Sequence, residues 1–144
     1  MPPEAGHEIV VTGEHFPVIR QLTLQLPNVS SEILERWGWT EGIKSLLKKL
    51  ARSVPADIEP TRRVRIEITV EDVDDALAAD RNLADPAENR SETDILRYLP
   101  ATVARIWPPL LEEAFQFLGS QEARYRTGFQ EGEIRAALDS FTLR

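Results

Sequence analysis

Residues 63–70 read Arg-Val-Arg-Ile-Glu-Ile-Thr-Val, and this stretch decides the fold class. Val64, Ile66, Ile68 and Val70 alternate with Arg63, Arg65, Glu67 and Thr69. Successive side chains on a strand point to opposite faces, so a period of two with one charged set describes a strand with a dry side and a wet side. Wet-faced sheets are mostly antiparallel, because parallel sheets are usually covered on both faces. The stretch predicts a small antiparallel sheet.

Working towards the N-terminus, Ser53-Val54-Pro55 through Pro60 reads as a loop. Residues 30–53 are helical but carry two apolar stripes, Ile33, Leu34 and Trp37, then Trp39, Ile43, Leu46, Leu47 and Leu50. At about 100° per residue one straight helix would put these stripes on different sides. A break at Gly38, with Ser30 starting the first helix and Thr40 capping the second, lets both face one core. Residues 18–26, Val-Ile-Arg-Gln-Leu-Thr-Leu-Gln-Leu, alternate Leu22, Leu24 and Leu26 with polar residues and predict a strand ended by Pro27 and Asn28. Glu8-Ile9-Val10-Val11-Thr12 before Gly13 predicts another, after a loose tail at about residues 1–7.

Towards the C-terminus, Val73, Ala76, Leu77 and Ala78 predict a short helix with acids in its first turn, where the helix dipole favours them. Asp80 to Arg90, interrupted by Pro86, reads as a loop. Ser91-Glu92-Thr93-Asp94 resembles a capping signal for helices running from Ile95 to Leu118 and restarting near Pro100 and Pro109. Gly119-Ser120 ends them, residues 120–132 are polar, and Ile134, Ala137, Leu138 and Phe141 predict a last helix. The expected architecture is α+β in a single domain spanning 1–144. It has a small antiparallel sheet of two to three strands in the N-terminal half and five to six helices, mostly C-terminal.

The 144 residues are 42% hydrophobic and 28% charged, an ordinary globular balance. The absence of cysteine removes disulfides, thiolate metal sites and thiol catalysis. No apolar run approaches the ~20 residues of a membrane span, and the first residues lack the basic-then-apolar plan of a signal peptide. A soluble cytoplasmic protein without membrane contact is expected. No G-x-S-x-G, phosphate loop, dinucleotide glycine pattern or H-E-x-x-H occurs, which points away from an enzyme and calls for no cofactor.

Charge is sorted along the chain. Residues 71–94 hold nine acids against two bases, a net of −7 that equals the net charge of the whole protein. Residues 41–65 hold seven bases against three acids, a net of +4. Such sorting sets steering and partner choice more than fold. Glu71, Asp72, Asp74 and Asp75 are candidate contacts for a basic partner, with Trp39 beside the Gly38 turn as a partly exposed aromatic anchor. Lys44, Lys48, Lys49, Arg52, Arg63 and Arg65 form a candidate basic patch, which could meet phosphate, RNA or an acidic partner. Trp37 and Trp107 lie on apolar stripes and read as core.

The competing reading of the acids is a solvated helix start, and of the bases, pairing with the chain's own acids at Glu67 and residues 71–75. The acids lack the glycine that a calcium loop needs at its sixth position. His7 and His15, beside Glu8 and Glu14, are too few for a zinc site.

These readings converge on a non-catalytic protein-binding module (an adaptor, a small chaperone or an inhibitor or immunity-type partner) working through a charge-segregated surface. Self-association as a homo-oligomer is also expected, from strand edges and from apolar helix surface at 95–118. One alternative is a nucleic-acid-binding regulator using a helix-turn-helix-like hairpin at 30–52, from whose pattern Leu34 and Lys44 depart. The other is a small carboxylate or metal-dependent enzyme.

Overall fold

The computed structural model describes residues 7–90 and 93–144. Apart from His7, the expected N-terminal tail lies outside the described residues, as do Ser91 and Glu92 of the expected capping signal. The elements run β1 (Glu8–Thr12), α1 (Phe16–Gln25), α2 (Ser31–Arg36), α3 (Glu41–Ser53), β2 (Arg63–Thr69), α4 (Val73–Ala79), β3 (Ile95–Pro100), α5 (Ala101–Thr127) and α6 (Glu131–Ser140). Short 3-10 turns cover Leu26–Asn28 and Pro86–Arg90. The class is α+β.

The strand read from residues 63–70 is the central strand of a three-stranded sheet. β1 pairs with it antiparallel, Ile9 opposite Ile66 and Val11 opposite Val64. β3 pairs with it in parallel, Ile95 opposite Val64 and Arg97 opposite Ile66. The sheet is therefore mixed, with α4 in the crossover that a parallel pair requires. Ile9, Val11, Val64, Ile66, Ile95 and Leu99 are fully buried under the helices. Glu8, Arg63, Arg65, Glu67, Leu96 and Tyr98 occupy the opposite parity and form an open, mostly charged face.

Two expected elements change type. Residues 18–26 belong to helix α1, not to a strand. Phe16, Val18, Ile19, Leu22, Thr23 and Leu26 are the buried positions, at helical spacing, while Leu24 is half-exposed. The leucine alternation satisfied both periods, and Phe16 with Pro17 in the first turn settles it for helix. Residues 95–100 form β3, not the start of a helix. Their alternation is hidden because the buried parity carries Arg97 and the open face carries Leu96.

The helical hairpin forms as expected. The Ser30 side chain accepts from the Ile33 amide, the Thr40 side chain accepts from the Ile43 amide, and Gly38 takes φ +74°. The expected helix restart near Pro100 is met by α5, which begins at Ala101. The helix then runs through Pro108 and Pro109, where a restart was expected, and the backbone leaves helical geometry at Gly119 (φ 77°, ψ 161°), the expected end, before a further helical stretch reaches Thr127. Trp107 is the centre of the core. Its ring meets Phe141 edge-on at 4.8 Å, and its Nε1 donates to Thr23 Oγ1 at 3.0 Å. Trp37 is half-buried rather than core, with Nε1 donating to Glu113.

The outer sheet edges are engaged within the chain. Arg144 exchanges backbone hydrogen bonds with Glu8 along β1, and Leu143 bridges to Ile9. On β3 the Asn82 side chain imitates a further strand. Its Nδ2 donates to the Tyr98 carbonyl at 2.7 Å, and its Oδ1 accepts from the Tyr98 amide at 2.8 Å. The apolar positions of 95–118 are largely spent on the core, although Leu96 and Phe117 stay exposed. No helix among the described residues is long and apolar enough to cross a membrane.

Arg97, 2% exposed, ties β3 to the end of α3. Nε donates to Ser53 Oγ at 2.7 Å, one terminal nitrogen to the Ser53 carbonyl at 2.8 Å, and both terminal nitrogens grip Glu88 at 2.9 and 3.0 Å. These bonds hold the Glu88 carboxyl below the usual carboxylate range. A depressed folded-state pKa gives stability that is present above the unfolded value, near 4.5, and lost as pH falls through the folded value. Thermal melts should show the wild type losing stability more steeply than Glu88→Gln once the pH drops below about 4.5. Parallel pH profiles would remove Glu88 from this role. Gly13→Ala should cost at least about 2 kcal/mol in urea unfolding, because an added Cβ would lie 1.9 Å from the Glu59 carbonyl oxygen.

Candidate functional site

Helix α3 is held at both ends. Thr40 caps its start, and Gly42 lets α4 approach so closely that a Cβ would meet Val73 at 2.7 Å. The last carbonyls face two arginines. Arg20 of α1 donates to the carbonyls of Ala51 at 2.9 Å and Val54 at 2.8 Å, and Arg97 reaches Ser53. Cations at a helix C-terminus satisfy carbonyls that lack intrahelical donors and oppose the dipole. Burial lowers the Arg20 pKa from its ordinary value. With Ile43, Leu46, Leu47 and Leu50 facing the core, α3 presents a fixed outer face.

That face is cationic. Lys44, Lys48 and Arg52 follow one another at intervals of four residues, so their Cα atoms stand about 6 Å apart along one stripe. Lys44 has a long contact, 4.0 Å, to an exposed Glu41. Lys48 and Arg52 are exposed and make no ion pair among the described residues. Lys49 points to the other flank and pairs with Asp80 at the end of α4.

Three cavities adjoin the stripe. One of about 240 Å³ lies between α3 and the turn after α1, walled by Trp39, Leu24, Pro27 and Asn28, with Lys44, Lys48 and Arg52 at its edge. A second, about 450 Å³, lies between α3 and residues 82–84 and includes the exposed Leu83. The third, about 600 Å³, opens past the helix end between Val54–Asp57 and Ala84–Glu88, with Arg20 on its wall. Arg52 borders all three. The buried Arg97–Glu88 pair therefore shapes the surroundings of the stripe, since it fixes the 84–88 segment that walls the largest cavity.

The expected basic patch divides. Lys44, Lys48, Lys49 and Arg52 stand together on α3, joined by Trp39, which is half-buried as expected. Arg63 and Arg65 lie on the open sheet face and are paired. Arg63 bonds Asp94 at 3.0 and 3.2 Å, and Arg65 bonds Glu8 at 2.8 Å. Of the acids, Glu71 pairs with Arg81, and Asp72 caps α4 by accepting from the Asp75 amide at 2.8 Å. Asp74 and Asp75 remain exposed side chains without ion pairs among the described residues. Opposite charges sorted along the sequence thus meet at Lys49–Asp80 and Arg63–Asp94, not at Glu67 or residues 71–75, which the competing reading named.

Among the described residues no group of three or more histidines or carboxylates could hold a metal ion. His15 Nδ1 lies 2.9 Å from Ser140 Oγ, whose proton goes to the Ala137 carbonyl. Sequence reading missed Arg20, Ser53, Glu88 and Arg97. The available signal was an arginine at the buried parity of an otherwise apolar alternation, Ile95-Leu96-Arg97-Tyr98-Leu99. Comparison with protein-family models, curated proteins and solved structures finds no match to any of them.

Like charges four residues apart on a helix destabilise it by about 0.2–0.5 kcal/mol per pair. Lys48 makes two such pairs, with Lys44 and Arg52. Lys48→Ala should therefore raise the melting temperature by about 1–3 °C. A clear fall would show that Lys48 serves stability instead.

Proposed function

We propose that the protein is a non-catalytic protein-binding module, and that its partner engages the α3–α4 side of the molecule. One observation carries this reading. Lys48 and Arg52 stand exposed beside Trp39 and unpaired among the described residues, on a helix anchored at both ends, while Arg63 and Arg65 on the sheet face are neutralised within the chain. A rigid surface with uncompensated charge and an aromatic wall is suited to recognition, because little ordering is left for the moment of binding. Asp74 and Asp75 on neighbouring α4 supply the opposite sign, so this side of the protein sets the orientation of a partner carrying both charges.

The nucleic-acid reading shares the stripe but has a net charge of −7 against it. The carboxylate-enzyme reading places its acids at Asp72–Asp75, where Asp72 is committed to capping its own helix.

Affinity capture from native lysate tests the proposal, with bound protein and nucleic acid both identified. A stoichiometric protein partner should be lost with Lys48→Glu plus Arg52→Glu, and weakened by Asp74→Lys plus Asp75→Lys. Capture indifferent to both reversals, or nucleic acid as the sole bound species, would overturn it.

A further inference from the structure

We infer that the ligand of the α3 face is an extended acidic segment of a partner protein, with carboxylates at alternate positions and an apolar side chain seated against Trp39. This rests on the protein-binding reading above.

Spacing is the first argument. Positions four apart on a helix are separated by about 6 Å. Alternate residues of an extended chain project to one side about 6.6 Å apart. Two or three carboxylates on a strand-like segment therefore fall in step with Lys44, Lys48 and Arg52 over the length of the stripe.

Charge is the second. The stripe concentrates like charges that α3 would be more stable without. Of the acids near it, Asp80 is used on Lys49 and Glu88 on Arg97, Glu41 reaches Lys44 only at 4.0 Å, and Asp57 and Asp85 border the cavity past the helix end without pairing with Lys48 or Arg52. A carboxylate arriving on the stripe relieves that repulsion, so ligand binding recovers stability that the free helix forgoes.

Shape is the third. The cavity beside Trp39, about 240 Å³, has room for a single large side chain, and within a mostly polar lining Leu24, Pro27, Leu47 and the indole give that side chain an apolar surface to rest on. A helix laid along the stripe would bridge the cavity mouth. An extended segment can send one side chain into it. Arginine and lysine rims around an aromatic pocket hold a segment by one anchor and several rim contacts.

The experiment uses the full chain and a fluorescein-labelled heptapeptide of sequence leucine-serine-glutamate-serine-glutamate-serine-glutamate, read by anisotropy. Saturable binding is expected. It should weaken at least about tenfold when salt rises from about 0.05 M to about 0.5 M. It should weaken as much in Lys48→Ala plus Arg52→Ala, and at least about fivefold in Trp39→Ala. Lys48→Gln alone should weaken it about threefold, which keeps the test open if the double variant folds poorly. Arg105→Gln, an exposed charge on α5 outside this surface, should leave it unchanged.

The inference falls if no saturable binding occurs or if a glutamine-for-glutamate peptide binds equally. It falls too if a helical peptide with glutamates four apart, or a single-stranded oligonucleotide, binds more tightly. Peptide failure alongside capture that still depends on Lys48 and Arg52 would sink the extended ligand and leave the protein-binding module standing.

Discussion

The arrangement depends on one buried cation. A guanidinium removed from water costs several kcal/mol unless its charge and donors are matched. Arg97 has five N–H groups, and five bonds leave it: to Ser53 Oγ, the Ser53 carbonyl, the Leu96 carbonyl and both oxygens of Glu88. The planar fork makes this possible, and lysine could not reproduce it. Because every donor is used, the side chain has one acceptable position. It thereby fixes three pieces that hydrophobic burial alone would leave free to slide: the end of α3, strand β3 and the segment carrying Glu88.

From that junction the distribution of charge follows. β3 joins the sheet in parallel, so the chain must cross over, and α4 with residues 80–90 lies next to α3. The acids of 71–94 are brought against the bases of 41–65, and several pairs close. Exposed pairs of this kind are worth about 0–1 kcal/mol each, so their effect is on the surface potential more than on stability. What they leave over matters more: a cationic stripe on α3 and two free aspartates on α4.

Much of this was legible. The hairpin of α2 and α3, with Ser30, Gly38 and Thr40 at their posts, could be read because caps and turn residues act locally. So could β2, whose two faces differ sharply. The misreadings share a cause. In α1 the alternating leucines at 22, 24 and 26 imitate a strand, and Pro17 is the one local sign of a helix start; the stripe of Phe16, Ile19, Leu22 and Leu26 declares itself only when packed against α3, α5 and α6. In β3 the polarity is inverted, with arginine inside and leucine outside, because the inward position is set by a partner 44 residues away, Ser53. Sequence patterns assume that buried means apolar, and an arginine satisfied at long range breaks the assumption. Of the site, the lysines and Trp39 were visible as residue types. Their separation from Arg63 and Arg65 was not, since it depends on where α3 lies relative to the sheet.

A basic stripe on an acidic protein also has a range. At physiological salt, fields decay over about 8–10 Å, so the net charge of −7 governs distant approach and the stripe governs only what arrives beside it. A long polyanion must cross the outer field with many charges that never reach the stripe. A short acidic segment presents only the charges the stripe can neutralise, and residues elsewhere on its parent protein are free to be basic and to favour approach. In the proposed binding module, opposite signs on α3 and α4 would then act as an orientation filter. A partner carrying both charges in the matching order gains at two places, and the reversed order loses at both. On this argument, separating the charges over two adjoining helices serves selectivity more than affinity.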